Sequence, residues 1–286
     1  MTETLSALSN HPLVDKLLPS RRQPVLFIGH GSPLNAIEDN RWRRSWQALG
    51  AELLARPEPP RLILCISAHW LTTGWQLTAM DKPRTIHDFG GFPQALFDQQ
   101  YPAPGAPQAA RLISEAVLQP TSRAPLGLDE GDWGLDHGTW SVLKPMFPDA
   151  NIPVIQLSMD YARPAAEHFE IGRQLASWRE RGVLIVGSGN TVHNLRTMRR
   201  DATDDQAYDW AIEFDRVTAD HIEQGRLTVL NDFQQMGPVA QMAHPTWEHY
   251  LPLLYAAGAV HESDTPRFFN QGFQGASISM RSVVWD

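Results

Sequence analysis

The sequence predicts an α/β protein, a single domain with a central, mostly parallel sheet flanked by helices. Short apolar, β-branched segments alternate along the chain with amphipathic helical patterns, and this order is typical of a parallel sheet with crossover helices. The 286 residues, 42% of them hydrophobic, are enough for a full core in one large domain. No internal repeat or low-complexity linker divides the chain.

Four segments have the length and composition of buried strands. Each is short, apolar and bounded by Gly, Pro or Ser, and they are residues 24–28, 61–67, 153–158 and 183–187. The segment 276–286 alternates early and then becomes continuously apolar, which predicts a final strand. The single cysteine, Cys65, lies inside a predicted strand, so we expect it in the core rather than as a nucleophile. One cysteine excludes an intramolecular disulfide and fits a reducing compartment.

Two helices are predicted with defined ends. Residues 167–181 place apolar side chains on one stripe, and Gly182 is expected to end that helix. Residues 208–225 form a second stripe of the same kind. Near the end of the chain, Thr246 is predicted to cap a helix that begins near Trp247.

The remaining segments are less regular. Residues 1–23 predict a polar arm or short helix ahead of a catalytic domain at 24–286. The first twenty residues carry acids and lack a continuous apolar segment, so we expect no secretory signal. The Pro- and Gly-rich segment 81–107 is long, and its aromatic and apolar residues favour an ordered loop packed over another part of the protein.

Charge and hydropathy limit the partners that we expect. The net charge is −8 and no basic block is present, which argues against a nucleic-acid partner because phosphate neutralisation needs clustered Lys and Arg. The apolar runs are too short to cross a bilayer. We expect a cytoplasmic protein without a membrane partner, either a monomer or a small homo-oligomer.

Histidines follow three of the predicted strands. His30 lies in Gly-His-Gly-Ser-Pro, His69 in Ser-Ala-His-Trp and His193 in Ser-Gly-Asn-Thr-Val-His-Asn. In open α/β sheets, ligands bind outside the carboxyl ends of the strands, so these imidazoles can converge on one point. Converging imidazoles suit Zn, Cu, Fe or Ni. We therefore expect a mononuclear metal site at the carboxyl ends of the strands. Taken alone, His30 is as compatible with a solvated turn as with a ligand, and His69 is more typical of a core histidine.

A polar turn near the end of the chain offers a further ligand. His244 and His249 flank this turn, and Glu248 lies beside His249. Glu248 would complete the two-histidine, one-carboxylate triad of non-haem Fe(II) oxygenases, whereas His249 would give an all-imidazole site. The sequence pattern leaves both alternatives open.

Other catalytic signatures are absent. Gly187-Ser188-Gly189 lacks the third glycine of the dinucleotide fingerprint, since position 192 is Val, and no P-loop lysine follows. We interpret these glycines as a turn that directs His193 into the cleft. The sequence contains no Gly-x-Ser-x-Gly elbow and no His-Glu-x-x-His motif.

Two further histidines have a neighbouring carboxylate. They form the pairs His87-Asp88 and Asp136-His137, and a carboxylate near a histidine can fix its tautomer and raise its basicity. Because adjacent residues rarely bond each other, surface turns stay an alternative for both pairs. The four histidines without such a context are assigned to the surface: His11, His168, His221 and His261.

Seven motifs of this chain occur together in the order found in one known family. They are Gly-His-Gly-Ser-Pro (29–33), Ser-Ala-His-Trp (67–70), Thr-Ile-His-Asp-Phe-Gly-Gly-Phe-Pro (85–93), Tyr-Pro-Ala-Pro-Gly (101–105), Trp-Gly-Leu-Asp-His-Gly (133–138), Gly-Ser-Gly-Asn-Thr-Val-His-Asn-Leu (187–195) and Glu-His-Tyr-Leu-Pro-Leu (248–253). In these motifs the chain resembles the class III extradiol ring-cleavage dioxygenases, in particular the 4,5-DOPA dioxygenase type. The resemblance covers roughly residues 24 to 286.

The resemblance implies a set of site residues. One Fe(II), often replaced by zinc in isolated proteins, would be held by His30, His69 and His249. His193 would be the nearby acid/base, or a fourth ligand when zinc is bound, and His137 would line the substrate site. The segment 87–93 would cover the site. Relatives outside this branch use a glutamate as third ligand, so Glu248 stays an alternative to His249.

The resemblance also implies a reaction. We expect non-haem Fe(II)-dependent cleavage of a catechol ring with O2, with DOPA or a related catechol giving a semialdehyde (4,5-seco-DOPA, the precursor of betalamic acid). His87, Asp88, Phe89 and Tyr101 are expected to contact the substrate. One alternative is a zinc hydrolase that uses the same histidines, and an anaerobic assay would separate it. The other is a non-catalytic metal-binding relative, which is disfavoured because His193 and His137 are both present.

Overall fold

A central eight-stranded sheet organises the protein. The computed structural model describes residues 17–286. The strands are β1 (Val25–Gly29), β2 (Leu62–Leu71), β3 (Gln76–Thr78), β4 (Arg84–Thr85), β5 (Gly127–Asp129), β6 (Gly134–Leu135), β7 (Val154–Met159), β8 (Val183–Gly189), β9 (Pro266–Phe269), β10 (Phe273–Gln274), β11 (Ile278–Ser279) and β12 (Ser282–Trp285). In the main sheet they lie in the order β5-β3-β7-β2-β8-β1-β12-β9.

The middle of this sheet is parallel. Strands β7, β2, β8 and β1 pair in parallel with their neighbours, whereas β12 and β9 continue the sheet antiparallel beyond β1. On the other side, β3 pairs antiparallel with β7 and parallel with β5. Two small sheets complete the strand pairing, β4 with β6 and β10 with β11. The predicted α/β class with a mostly parallel sheet is confirmed.

Helices cover both faces of the sheet. The α-helices are α1 (Arg41–Leu54), α2 (Gln94–Phe97), α3 (Pro107–Ala116), α4 (His137–Met146), α5 (Ala165–Leu175), α6 (Asp209–Glu223), α7 (Pro238–Ala243) and α8 (Leu251–Gly258). Short 3-10 helices span Pro33–Ala36, Ala176–Arg181, Leu195–Thr197 and Leu227–Met236.

The core has one cluster on each face of the sheet. Along β1, Val25 and Phe27 enter the cluster shared with α3, α5, α6 and α8, whereas Leu26 and Ile28 enter the cluster shared with α1 and α4. Successive residues of β2 and β8 alternate between the two clusters in the same way. Because both faces are buried, these strands are continuously apolar in sequence. Cys65 lies in the second cluster, as predicted.

The predicted elements agree with the structure except at the last helix. The helix predicted at 167–181 consists of α5 and the 3-10 turn after it, and it ends at Gly182 with a φ of 80°. The predicted final strand is split into β11 and β12. The prediction that Thr246 caps a helix was wrong: α8 begins at Leu251 with a proline in its first turn, and the Thr246 hydroxyl donates to Glu248 instead.

The described part of the N-terminal arm, residues 17–23, packs against the domain. Leu17 is buried, and its carbonyl oxygen accepts a hydrogen bond from Arg181. The buried guanidinium of Arg179 donates to the carbonyl oxygen of Gln23 and pairs with Asp264. His11, assigned to the surface, and the rest of the arm lie outside the described residues. No helix between residues 17 and 286 has the length and apolar character needed to cross a membrane.

The long segment 81–107 is ordered, as predicted. It contains β4 and α2 and leads into α3. Leu96 and Tyr101 are buried in the second core cluster, and Phe89 and Phe92 pack against that cluster from outside. The segment therefore forms a packed wall beside α4.

Candidate metal and catalytic site

Three parallel strands bring three of the predicted histidines to one edge of the sheet. His30 follows the last residue of β1, and His193 lies in the loop after β8. His69 lies within β2, which extends beyond its predicted end and whose pairing with β7 shifts register between Ile66 and Leu71. Gly29 is opposite Gly189 and Ser67 is opposite Ser188, so the carboxyl ends of the strands meet at one level.

The segment ahead of α8 places His249 at the same edge. The backbone N–H of Asn190 donates to the carbonyl oxygen of His249 (2.8 Å). A Cβ atom on Gly189 would lie 2.1 Å from that oxygen, and one on Gly187 would lie 2.4 Å from the carbonyl oxygen of Pro252. These two glycines lie within β8 and admit the backbone of the segment 249–252. The interpretation of them as a turn that directs His193 is therefore wrong.

His30, His69 and His249 form a group with the spacing of a metal site. One ligand atom from each lies within 4.8 Å of the others. The Nε2 atoms of His30 and His69 are 3.3 Å apart. Two nitrogens bound to one tetrahedral ion at about 2.1 Å would be about 3.4 Å apart. The donor set therefore fits a single ion such as Fe(II) or zinc.

Hydrogen bonds fix the tautomer of His30. The Ser188 hydroxyl donates to the carbonyl oxygen of Gly138 (2.5 Å), because a carbonyl oxygen can only accept. That hydroxyl must therefore accept the hydrogen bond that joins it to Nδ1 of His30 (3.0 Å). The His30 proton is then on Nδ1, and the Nε2 lone pair faces His69.

A carboxylate fixes His249 in the same way. Nδ1 of His249 lies 3.1 Å from Oε1 of Glu248, which also accepts a hydrogen bond from Thr246. An ionised carboxylate can only accept, so Nδ1 carries the proton and Nε2 is free to bind an ion. Glu248 itself groups with His193 and His249 but not with His30 and His69. This arrangement favours His249 over Glu248 as the third ligand.

The candidate ligands are uncharged in this environment. Burial first, and neighbouring imidazoles second, lower the pKa of His30, His69 and His249 well below the usual value. Asp88 opposes this shift at His69. Metal binding requires a deprotonated nitrogen, so an environment that keeps the imidazoles neutral also prepares them for an ion.

His193 stacks on His249. The ring centroids are 3.5 Å apart and the planes differ by 7°. Because the two rings are stacked and nearly parallel, the nitrogen lone pairs of His193 and His249 lie in separate planes. Burial, followed by His244 and His137, lowers the pKa of His193 to about 3. His193 therefore lies beside the group as a neutral imidazole.

His137 and Phe89 border the same group. His137 is the first residue of α4, and its ring centroid is 3.9 Å from that of His69. The Phe89 ring meets His137 edge to face at 5.5 Å. Asp88 lies between the histidines: Oδ1 is 3.0 Å from Nδ1 of His137 without hydrogen-bond geometry, and Oδ2 is 3.6 Å from Nδ1 of His69.

The Asp88 carboxylate is ionised. Burial alone would raise the pKa of Asp88, but its contacts with His137, including the bond from the backbone N–H, and then its contact with His69 lower that pKa below the usual value.

Two of the predicted substrate contacts lie farther out. His87 bonds through Nε2 to the carbonyl oxygen of Gln99 (2.9 Å) and reaches the group through its contact with Phe89. Tyr101 is 1% exposed, and its hydroxyl donates to the carbonyl oxygen of Phe147 (3.2 Å). Tyr101 therefore has no exposed face, and it supports the wall from within the core.

A buried network behind His69 was missed by the sequence analysis. Asp136 accepts hydrogen bonds from the Ser67 hydroxyl (2.7 Å), from the Gln156 amide and from the backbone N–H of Thr139 (3.2 Å). Burial raises its pKa to about 6, and the charge of Asp88 adds to the shift. The network joins β2 and β7 to the start of α4. The only local signal for this network is the capping role of Asp136, three residues before Thr139.

His168 and His244 both lie apart from the group, and His168 also differs from its predicted position. His168, assigned to the surface, is fully buried and bonds to the Tyr255 hydroxyl (2.7 Å) and to the carbonyl oxygen of Arg163 (3.3 Å). His244 is buried against Phe214, and its Nε2 bonds to the carbonyl oxygen of Thr191 (2.7 Å). His261 is exposed, as predicted, and His221 is half-buried.

Comparison with known proteins assigns a family to this arrangement. The 4,5-DOPA dioxygenase extradiol of Escherichia coli K12 is 48% identical over 95% of this chain and 98% of its own length. The protein of the same name from Beta vulgaris is 34% identical over 90% and 94% of the two chains. The crystal structure of an uncharacterized E. coli K12 protein superposes with a TM-score of 0.75, at 42% identity, over 92% of this chain and 99% of that one.

The family model described as the catalytic LigB subunit of aromatic ring-opening dioxygenase matches residues 24–283. That range includes His30, His69, His193 and His249 together with the loop that carries Asp88. The chain belongs to the LigB family of aromatic ring-opening dioxygenases and is an extradiol enzyme of that family.

Proposed function

We propose that His30, His69 and His249 bind one Fe(II) and that the enzyme cleaves a catechol ring with O2. The observation that supports this most directly is the free Nε2 lone pair of His30, which faces the His69 Nε2 at 3.3 Å while Ser188 holds the proton on the opposite nitrogen. Bound Fe(II) would supply the redox chemistry that joins O2 to the ring. Zinc would fit the same ligands in an isolated protein.

The substrate that we propose is DOPA or a related catechol, cleaved at the 4,5 position to a semialdehyde. The relatives from E. coli and B. vulgaris are both named as 4,5-DOPA dioxygenases, and both cover nearly the whole chain. The proposed product from DOPA is 4,5-seco-DOPA, the precursor of betalamic acid.

The residues around the ligands suggest how the substrate is held. His193 lies on the face of His249, so we propose that it accepts the proton of a catechol hydroxyl and returns a proton later in the reaction. His137 is placed to hydrogen-bond the substrate through Nε2, because its Nδ1 faces Asp88. Phe89 would form an apolar wall for the ring, with His87 and Tyr101 behind it.

Oxygen uptake by Fe(II)-reconstituted protein tests the proposal. A small panel of catechols that includes DOPA is assayed with absorbance followed in parallel. We expect oxygen uptake together with a yellow product, and the ranking of the panel identifies the substrate class. Protein with iron verifiably bound but no uptake on any catechol would contradict the proposal. Turnover that persists without oxygen would instead indicate a hydrolase.

The domain limits and the cellular location are also proposals. We propose that the catalytic domain spans 24–286 and that residues 1–23 form an arm, since the family model begins at residue 24. We propose a cytoplasmic location, because the single cysteine is buried and needs no oxidising compartment.

A further inference from the structure

One carboxylate reaches two histidines of the site from a third element. Asp88 lies in the loop between β4 and α2, and its side chain is 18% exposed. Its Oδ2 faces His69 on β2, and its Oδ1 faces His137 at the start of α4. The elements that carry these three residues are far apart in sequence, so the carboxylate is a tertiary link between them.

The contact with His69 is on the side opposite the candidate metal. Nε2 of His69 faces Nε2 of His30, so Nδ1 points away from the ligand group. Oδ2 of Asp88 is 3.6 Å from that Nδ1, close enough for the carboxylate to attract an N–H dipole although too long for a good hydrogen bond. A carboxylate in this position favours the proton on Nδ1 and keeps Nε2 free, as in other carboxylate–histidine–metal arrangements.

The contact with His137 involves both backbone and side chain. The backbone N–H of His137 donates to Oδ1 of Asp88 (2.9 Å). This N–H is in the first turn of α4 and has no partner within the helix, so Asp88 satisfies a donor that would otherwise be unpaired. The same oxygen lies 3.0 Å from Nδ1 of His137, which turns Nε2 away from the loop.

We propose that Asp88 is a positioning residue that fastens the loop 86–93 to the metal ligand His69 and to His137. The same carboxylate then holds the loop, the proposed ligand His69 and His137 in place relative to one another. Phe89 follows directly and lies against His137, so the anchor also sets the apolar wall. This role differs from the substrate contact expected from the sequence. It rests on the proposed function in taking His69 as a metal ligand.

Asp88→Asn tests the proposal with little change in shape. The amide oxygen can still accept from the His137 backbone, so the variant is expected to fold. The negative charge near His69 is lost, and an amide N–H would face an imidazole N–H. The matched control is Asp98→Asn, which removes a carboxylate bonded to Gln94 in α2.

The primary readout is binding of Co(II) alone, without catechol. We expect Asp88→Asn to bind Co(II) about 10- to 100-fold more weakly than the wild type, as for other partners of metal-binding histidines. The visible bands of bound Co(II) should change, and the backbone amides of residues 89–92 should exchange hydrogen faster. Asp98→Asn should match the wild type in all three measurements.

If Asp88→Asn has the same Co(II) affinity, visible bands and amide exchange as the wild type, the inference is overturned. His69→Ala separates this outcome from failure of the proposed site. If His69→Ala loses Co(II) while Asp88→Asn behaves as wild type, only the positioning role is wrong. If His69→Ala also keeps wild-type affinity, the metal assignment itself is wrong.

Discussion

The hydroxyl of Ser188 lies between the imidazole of His30 and the main-chain oxygen of Gly138, and it bonds to both. Because the Gly138 oxygen takes the hydroxyl proton, Ser188 can only accept from His30. A residue of β8 thereby determines which nitrogen of a residue after β1 is free for a metal.

Ser188→Ala should weaken metal binding without unfolding the protein. The variant leaves the Nδ1–H of His30 without its acceptor, so the ring can rotate or change tautomer. We expect about a 10- to 100-fold loss of Fe(II) or zinc affinity, measured by competition with a chelator. Ser114→Ala is the control. Ser114 is also buried, and its hydroxyl donates to the carbonyl oxygen of Leu126, just before β5. Equal metal affinity in the two variants would argue against tautomer control.

The stacking of His193 on His249 predicts that metal retention and turnover separate in alanine variants. His30→Ala and His69→Ala should each lose bound metal while staying folded. His193→Ala should keep much of its metal but lose about 10²- to 10⁴-fold in kcat, the usual contribution of a general acid or base. Metal content by mass spectrometry and oxygen uptake measure the two properties. Full metal retention in both His30→Ala and His69→Ala would refute the ligand assignment.

Gly189→Ala should displace His249. The added Cβ would lie 2.1 Å from the His249 carbonyl oxygen, which is far inside contact distance. Either the backbone before α8 moves or β8 does, at a cost of about 1–3 kcal/mol or more. We expect a lower urea midpoint and a loss of metal affinity. Gly131→Ala is the matched control, because a Cβ there meets no atom within 4 Å. A Gly189→Ala protein as stable and as metal-competent as that control would contradict the close approach.

The sequence predicted the parts of the site that depend on local pattern. Apolar, β-branched runs identified the buried strands, and parallel strands end at a common edge, so His30, His69 and His193 could be placed together before any distance was known. The choice of His249 over Glu248 needed the structure, because it depends on which side chain faces His30. Neighbouring residues rarely bond each other, yet Glu248 does bond His249.

Two of the remaining errors concern contacts between residues far apart in the chain. His168 lies on the buried stripe of α5 with Ile171 and Leu175, as the helical period indicates, but the partner that satisfies its ring, Tyr255, is 87 residues away. The role of Gly189 likewise depends on the later segment that lies against it. Thr246 has the composition of a helix cap, but the hydroxyl bonds to Glu248 and the helix begins after the turn. Tertiary contacts decide the first two cases, and a contact within its own turn decides the case of Thr246.

Buried His168 should make the protein acid-sensitive. Its Nε2–H donates to the Arg163 carbonyl oxygen, so Nδ1 accepts from the Tyr255 hydroxyl, which in turn accepts from Trp75. Burial lowers the pKa of His168 from 6.5 to about 4. The unfolded chain therefore binds a proton below about pH 6.5 that the folded protein takes up only near pH 4, so stability is lost as the pH falls between these values.

The expected loss through His168 is about 2 kcal/mol at about pH 5, relative to about pH 7.5, and about 3 kcal/mol once both states are protonated. His168→Gln removes this titration while leaving an amide that can bond to the same partners. Urea unfolding at the two pH values measures the change in the free energy of unfolding. The variant should be less stable than the wild type at the higher pH, but on acidification its free energy of unfolding should fall by about 2 kcal/mol less. The other buried histidines are unchanged in both proteins, so their contributions cancel. His261→Gln, at an exposed position, is the control. An identical loss in His168→Gln and in the wild type would show that His168 does not titrate with folding.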